Sequence, residues 1–129
     1  MAMSETDVTG LDAEDNKLLV LARGALGRTG GPEGAAVRDT DGRTYAAGAV
    51  TLQTLTLTAL QAAVAAAISS GAEGFEAAVV LGGQLRDAGV GAVHEVSPGA
   101  RIIFADRNGA VYDTVDPEPI TGYGAGVNE

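Results

Sequence analysis

The sequence predicts a single α/β domain, and three observations lead to that class. The short apolar runs "FEAAVVLG" and "ARIIFAD" are bounded by Gly or Asp and have the length of buried strands. Helical segments separate these runs, which is typical of strands joined by crossovers. The 129 residues, 46% of them apolar, are enough for one core that closes without covalent staples. The chain has no cysteine, which excludes disulfides and thiolate metal ligands.

The first part of the domain is predicted to hold one helix and one hairpin. "LDAEDNKLLVLARGALG" has acidic residues in its first turn and Gly27 as a stop, which predicts a helix from Ala13 to Leu26. Its apolar face is predicted to contain Leu18, Leu19, Leu21, Ala22, Ala25 and Leu26. In "AAVRDTDGRTYAAGAV", Asp41 and Gly42 tolerate positive φ and favour a tight turn between two strands.

The second part is predicted to contain two more helices and three more strands. The segment from Thr58 to Ser70 is rich in Ala and apolar nearly all round, which predicts a central helix buried on several sides and capped by Thr56 or Thr58. "AGVGAVHEV" predicts a short helix ending before Pro98, and a last strand is expected near residues 110 to 114. The predicted order is therefore α-β-β-α-β-α-β-β.

The two ends of the chain differ in composition from the middle. Residues 1–12 are polar and acidic, and residues 116–129 are rich in Pro and Gly, so both are predicted to be flexible around a domain at 13–115. The opening lacks the basic and apolar regions of a secretory signal, which predicts a cytoplasmic protein. No apolar run reaches the roughly 20 residues that a membrane span requires.

The charge balance argues against one class of partner. The chain carries a net charge of −9, and its eight basic residues are spread along the sequence. Binding to a phosphate backbone depends on concentrated positive charge, so non-specific nucleic-acid binding is not expected. The alternative that folding brings a few basic residues together is left open.

Several segments occur in the order and near the spacing found in one known family. These are "GAAVRDTDGRTYAAGAV", the central helix ending "SSG", "FEAAVV" and "SPGARIIFAD". On these segments the chain resembles the small cytidine deaminases over roughly residues 13 to 114. The resemblance implies a three-layer α/β/α domain with a central mixed five-stranded sheet.

When the chain is aligned with this family, the positions that carry the family's chemistry hold other residues. The family holds a zinc ion with one Cys or His and two Cys, and a Glu transfers protons to the base. Aligned on "LTALQA", the first ligand becomes Leu60 and the Glu becomes Ala62, while the other two ligands fall near Arg86 and Gly89. The ribose-binding Asn and Glu of the family become Ala49 and Thr51. We therefore predict no metal, no cofactor and no catalytic residue.

Two further side chains need an interpretation. His94, the only histidine, is a conceivable general base but is expected to be a solvent-facing helix residue. Arg86 is a weak candidate for an anion site near the position of the family's zinc, against the interpretation of a surface arginine on a loop.

Three hypotheses for function remain. The first is a catalytically inactive deaminase-like module that assembles with itself, as a dimer or tetramer, or with a protein partner. Residues such as Gln61, Val64 and Ile68 of the central helix are then expected near the interface. The second is a module that binds a small molecule or nucleotide in the old active-site cleft. The third is a divergent enzyme of the family with other chemistry.

Overall fold

A computed structural model describes residues 11–84 and 86–116, and these form three layers. A five-stranded sheet lies in the middle, with one helix on one face and two on the other. The elements are α1 (Ala13–Thr29), β1 (Gly34–Asp39), β2 (Thr44–Gly48), β3 (Val50–Thr51), β4 (Thr56–Leu57), α2 (Ala59–Ser69), β5 (Phe75–Leu81), α3 (Ala88–Val96), β6 (Arg101–Ala105) and β7 (Val111–Val115). The predicted α/β class and its order of helices and sheet strands are confirmed.

The sheet is mixed, as predicted. Its strand order is β2-β1-β5-β6-β7, with β5 and β6 parallel and the other neighbours antiparallel. Successive residues of β5 point to opposite faces: Val79 packs with α1, whereas Ala78 and Val80 pack with α2 and α3. After the exposed Glu76, β5 is buried on both faces because helices cover both sides of the sheet, which explains the apolar sequence of its residues 77–81.

Helix α1 begins where predicted and ends three residues later than predicted. The Asp12 side chain caps its first turn by accepting a hydrogen bond from the Asp15 amide at 2.8 Å. Gly27 continues the helix, and Gly30 takes the left-handed conformation that ends it, with φ of 66°. Leu21 was predicted on the core face but is exposed, because the buried stripe of α1 runs instead through residues such as Leu18, Ala22 and Ala25.

The turn between β1 and β2 is organised by Asp39, a buried carboxylate. It accepts hydrogen bonds from the amides of Asp41 and Arg43 and from the Tyr45 hydroxyl, each at 2.9 Å. Burial alone raises the pKa of Asp39, but the hydrogen bonds from Tyr45 and the two amides outweigh it, so the pKa lies below its ordinary value. Gly42 supplies the positive φ that the predicted turn requires.

Helix α2 is capped as the sequence predicts but is less buried than expected. The Thr58 hydroxyl accepts from the Gln61 amide at 3.0 Å, and the Gln61 side chain accepts from the Thr58 amide at 2.9 Å, which forms a capping box. One side of α2 packs on the sheet and α3, while Ala65 and Ile68 are exposed. The two-residue strands β3 and β4 form a small hairpin before α2 that the threonine-spaced run did not reveal.

The ends of the chain are described only in part. The predicted N-terminal segment 1–12 is described at Leu11 and Asp12, and the predicted tail 116–129 only at Asp116, so both predictions fall almost wholly outside the described residues. Within 11–84 and 86–116, no helix has the length and apolarity to cross a membrane.

Candidate functional site

A cleft of roughly 340 Å³ opens where the amino ends of α2 and α3 meet the carboxyl end of β5. It is lined by residues from three places: the segment before β1, the cap of α2, and the loop from β5 to α3. The lining residues are Pro32, Glu33, Thr58, Gly82, Gly83, Gln84, Arg86, Asp87 and Ala88. The Tyr112 hydroxyl on β7 donates to the Gly83 carbonyl, which ties the loop from β5 to α3 to the sheet.

Two carboxylates connect the helix ends around this cleft. Asp87 is the N-cap of α3, and its Oδ1 accepts from the Gly89 amide at 2.7 Å and from the Thr58 hydroxyl at 2.6 Å. Glu33 Oε1 accepts from the Ala59 amide, the first of α2, at 3.3 Å. Negative charge is favourable at both positions because helix amino ends carry positive partial charge.

The pKa of Glu33 is raised by its surroundings. Burial is the largest cause and the negative charge of Asp87 adds to it, while the hydrogen bond from the Ala59 amide acts in the opposite direction. Sequence reasoning missed both carboxylates. Asp87 precedes a predicted helix, which is the usual place of an N-cap, but nothing in the local sequence indicates that Glu33 reaches α2.

Leu60 and Gly89, two positions that the family resemblance places at the zinc, are in contact in the fold. Leu60 is fully buried in the core beneath the cleft. A Cβ on Gly89 would lie 2.6 Å from Leu60 Cγ and 2.8 Å from its Cβ, so the leucine occupies the space that any larger side chain at 89 would need. The fold thus brings together two residues that are 29 positions apart in the sequence.

The other sequence-derived positions are dispersed. Ala62 is half-buried, and Arg86 is exposed at the cleft. Ala49 is half-buried and Thr51 exposed, and neither is among the described residues that line the cleft. Arg86 is therefore the one positively charged side chain in this lining.

The interpretation of His94 as a solvent-facing residue is wrong. Its ring is half-buried, and Nε2 lies 3.0 Å from the carbonyl oxygen of Ala100, which ties α3 to the start of β6. Across residues 11–84 and 86–116, no three His, Cys, Asp or Glu side chains are grouped so that they could hold a metal ion.

Comparisons with known proteins agree with this geometry at the level of family and fold. A family model described as cytidine deaminase-like matches residues 11–109. The chain belongs to the cytidine deaminase-like family.

Among solved structures, the chain is similar to the cytidine deaminase from Burkholderia pseudomallei, with 20% sequence identity and a TM-score of 0.68. The match covers 79% of this chain and 91% of that one, and at this identity it shows the fold alone. A comparison with curated proteins found no match.

Proposed function

We propose that this chain is a zinc-free member of the cytidine deaminase-like family that acts by assembling with itself or with a protein partner. The observation that carries the proposal is the contact between Leu60 and Gly89. Leu60, Arg86 and Gly89 stand where the family resemblance places zinc ligands, and none of them carries a thiolate or an imidazole. A zinc ion does not fit these side chains, and Leu60 takes up part of the space it would need.

The loss of the proton-transferring group supports the same proposal. Ala62 stands where the family has a Glu, and an alanine methyl group cannot transfer a proton to a base. Glu33, the cleft carboxyl whose pKa is raised, is engaged by the first amide of α2. Apolar cores on both faces of the sheet support the proposal that the fold is kept without the chemistry.

The purified protein is expected to hold no stoichiometric zinc and to release no ammonia from cytidine or deoxycytidine. The physical reason is that the cleft offers neither the ligands nor the proton-transfer group. Metal analysis by mass spectrometry and an ammonia-release assay measure both quantities, with the deaminase from Burkholderia pseudomallei as the positive control. One tightly bound zinc per chain, or turnover that a chelator abolishes, would contradict the proposal.

Exposed apolar side chains on α2 support the proposal of self-assembly. Ile68 is 43% exposed and Ala65 is exposed beside it, although a helix with so few polar residues is usually covered on several sides. Leu52 and Leu55, at the tip of the β3–β4 hairpin that leads into α2, are also exposed. Val64 is buried and Gln61 is half-buried, so of the three expected interface residues Ile68 is the most exposed.

Static light scattering is expected to give a mass of two or four chains of 12.8 kDa at micromolar concentration. Ile68→Glu places a charge on the exposed face of α2, so its mass is expected to fall to that of one chain. Val20→Glu is the matched control, since Val20 is similarly exposed on α1, across the sheet, and its mass should stay that of the parent. A parent mass of one chain that does not change on concentration would remove self-assembly.

The cleft itself favours a second candidate function, the binding of a small molecule or nucleotide. Its volume suits a ligand of that size, and Arg86 offers a guanidinium without an ion pair among the described residues. In that case a panel of nucleosides and nucleotides should contain a compound that raises the melting temperature, and Arg86→Ala should remove the rise.

A further inference from the structure

The five-stranded sheet ends in two edge strands, β2 and β7, and these edges differ. In β7 the exposed Asp113 lies mid-strand and its Oδ1 accepts from the Thr114 amide at 2.7 Å. The pairing of β7 with β6 also contains a register shift. Charges and irregular pairing of this kind keep exposed edges from pairing with other chains. β2 has an unbroken register with β1 and contains neither a charged residue nor a proline, so it is the unprotected edge.

Alternate residues of β2 turn their backbone groups away from β1. The Asp39 amide donates to the Arg43 carbonyl at 2.8 Å, which makes these residues a hydrogen-bonded pair of the antiparallel ladder. Bonded pairs alternate along such a ladder, so residues 45 and 47 also bond to β1 and the residues between and beside them point outwards. We call the outward set the β2 edge; it consists of Thr44, Ala46 and Gly48. No strand within 11–84 and 86–116 pairs with it.

The β2 edge belongs to a long stretch of the chain without charge. Residues 44–72 contain no Asp, Glu, Lys, Arg or His, although the chain has 17 acidic residues and a net charge of −9. This stretch forms β2, the β3–β4 hairpin and α2, and α2 packs against β2. Two copies of a strongly acidic chain repel each other, and like charges set face to face weaken an interface. On this uncharged surface two copies meet without bringing carboxylates together.

We propose that the β2 edge pairs with the β2 edge of a second copy, antiparallel, around a two-fold axis beside Ala46. In that register Ala46 forms a hydrogen-bonded pair with Ala46 of the second copy, and Thr44 forms one with Gly48 of the second copy. Every outward N–H and C=O of the set then has a partner. The set is complementary to itself because its three residues are centred on Ala46, and the small side chain there lets the strands approach. This self-complementarity and the absence of charge select a second copy as the occupant.

The pairing also gives the exposed face of α2 a place in the same assembly. A two-fold axis perpendicular to the sheet joins the two sheets into one and keeps α2 of both copies on the same side. The exposed Ile68 of each copy therefore lies on that side, next to the strands that pair. The inference rests on the proposed function, since it names the backbone pairing through which self-assembly occurs.

Single-cysteine variants of the full chain test the register, because the chain has no cysteine. Ala46→Cys sets two thiols across the axis with Cα atoms about 5.5 Å apart, a separation that a disulfide spans. Thr44→Cys is the matched control: it lies on the same edge, but its counterpart in the second copy is four residues along the strand, roughly 13 Å away. Under mild oxidation, Ala46→Cys is expected to form covalent dimers about tenfold faster than Thr44→Cys.

Amide hydrogen exchange followed by NMR tests the pairing in the unmodified protein. If the β2 edge is paired, all five consecutive amides of residues 44–48 are expected to be protected. If the edge is open, protection alternates: the amides of Tyr45 and Ala47, which bond to β1, exchange slowly, and those of the β2 edge exchange at least about tenfold faster.

The inference is overturned by alternating protection along β2 in the assembled protein, or by Thr44→Cys cross-linking as fast as Ala46→Cys. With either result, a light-scattering mass of two or four chains would leave the proposed self-assembly standing, through α2 without β2. A mass of one chain that does not change on concentration would remove both the β2 pairing and self-assembly. It would leave the β2 edge to a strand of another protein.

Discussion

Leu60→Asp is expected to leave the protein unfolded, or less stable by about 3–5 kcal/mol. Leu60 is fully buried among the apolar residues of α2, the sheet and α3, with no basic group in that cluster to pair with a carboxylate. A carboxylate placed there must either take up a proton or move to reach water, and either outcome disrupts the packing. Thermal and urea unfolding followed by circular dichroism measure the effect.

Ala65→Asp is the matched control for this experiment. It introduces the same side chain into the same helix at an exposed position, so it should cost no more than the lower helix propensity of Asp, about 0.7 kcal/mol. If Leu60→Asp is as stable as Ala65→Asp, position 60 is open to water. That result would favour a ligand-binding cleft over a packed one.

The sequence was most informative where local and long-range signals agree. The sheet strands follow from short apolar runs because burial on both faces requires apolar residues on both sides of a strand, as in residues 77–81 of β5. The hairpin follows from Asp41 and Gly42, whose turn conformation is a local property. Nothing local links a leucine to a glycine 29 residues away, so the contact between positions 60 and 89 was not predicted; the family resemblance only placed a former zinc-ligand position at or near each of them.

The remaining features depend on which elements meet. Glu33 reaches the first amide of α2 only because the segment before β1 lies beside that helix end, a contact that spans 26 residues. Leu21 fits a helical apolar pattern almost as well as Leu18, and the face that α1 turns towards the sheet decides which of them is buried. A half-buried histidine bonded to a carbonyl, as His94 is, has the same local sequence as an exposed one. Periodicity predicts which face of an element is apolar, but it does not predict which other elements pack against that face.

Gly89→Ala tests the contact at the centre of the proposed function from its other side. Alanine is normally the better helix residue, but here its Cβ would lie 2.6 Å from Leu60 Cγ, so we expect a loss of about 1–3 kcal/mol from overpacking. Gly91→Ala, in the same helix, is the matched control. Its Cβ would meet nothing within 4 Å, so this variant should be neutral or more stable than the parent.

Combining Gly89→Ala with Leu60→Ala turns this comparison into a double-mutant cycle. Leu60→Ala alone leaves a cavity in the core and should cost about 2–5 kcal/mol. In its presence the methyl group at position 89 has room, so the loss caused by Gly89→Ala should vanish or change sign, a coupling of about 1–3 kcal/mol. Urea unfolding of the four proteins gives the coupling directly. Additive losses would mean that Leu60 and Gly89 do not share the space where the family resemblance places the zinc, and the structural argument for a zinc-free module would then lose its basis.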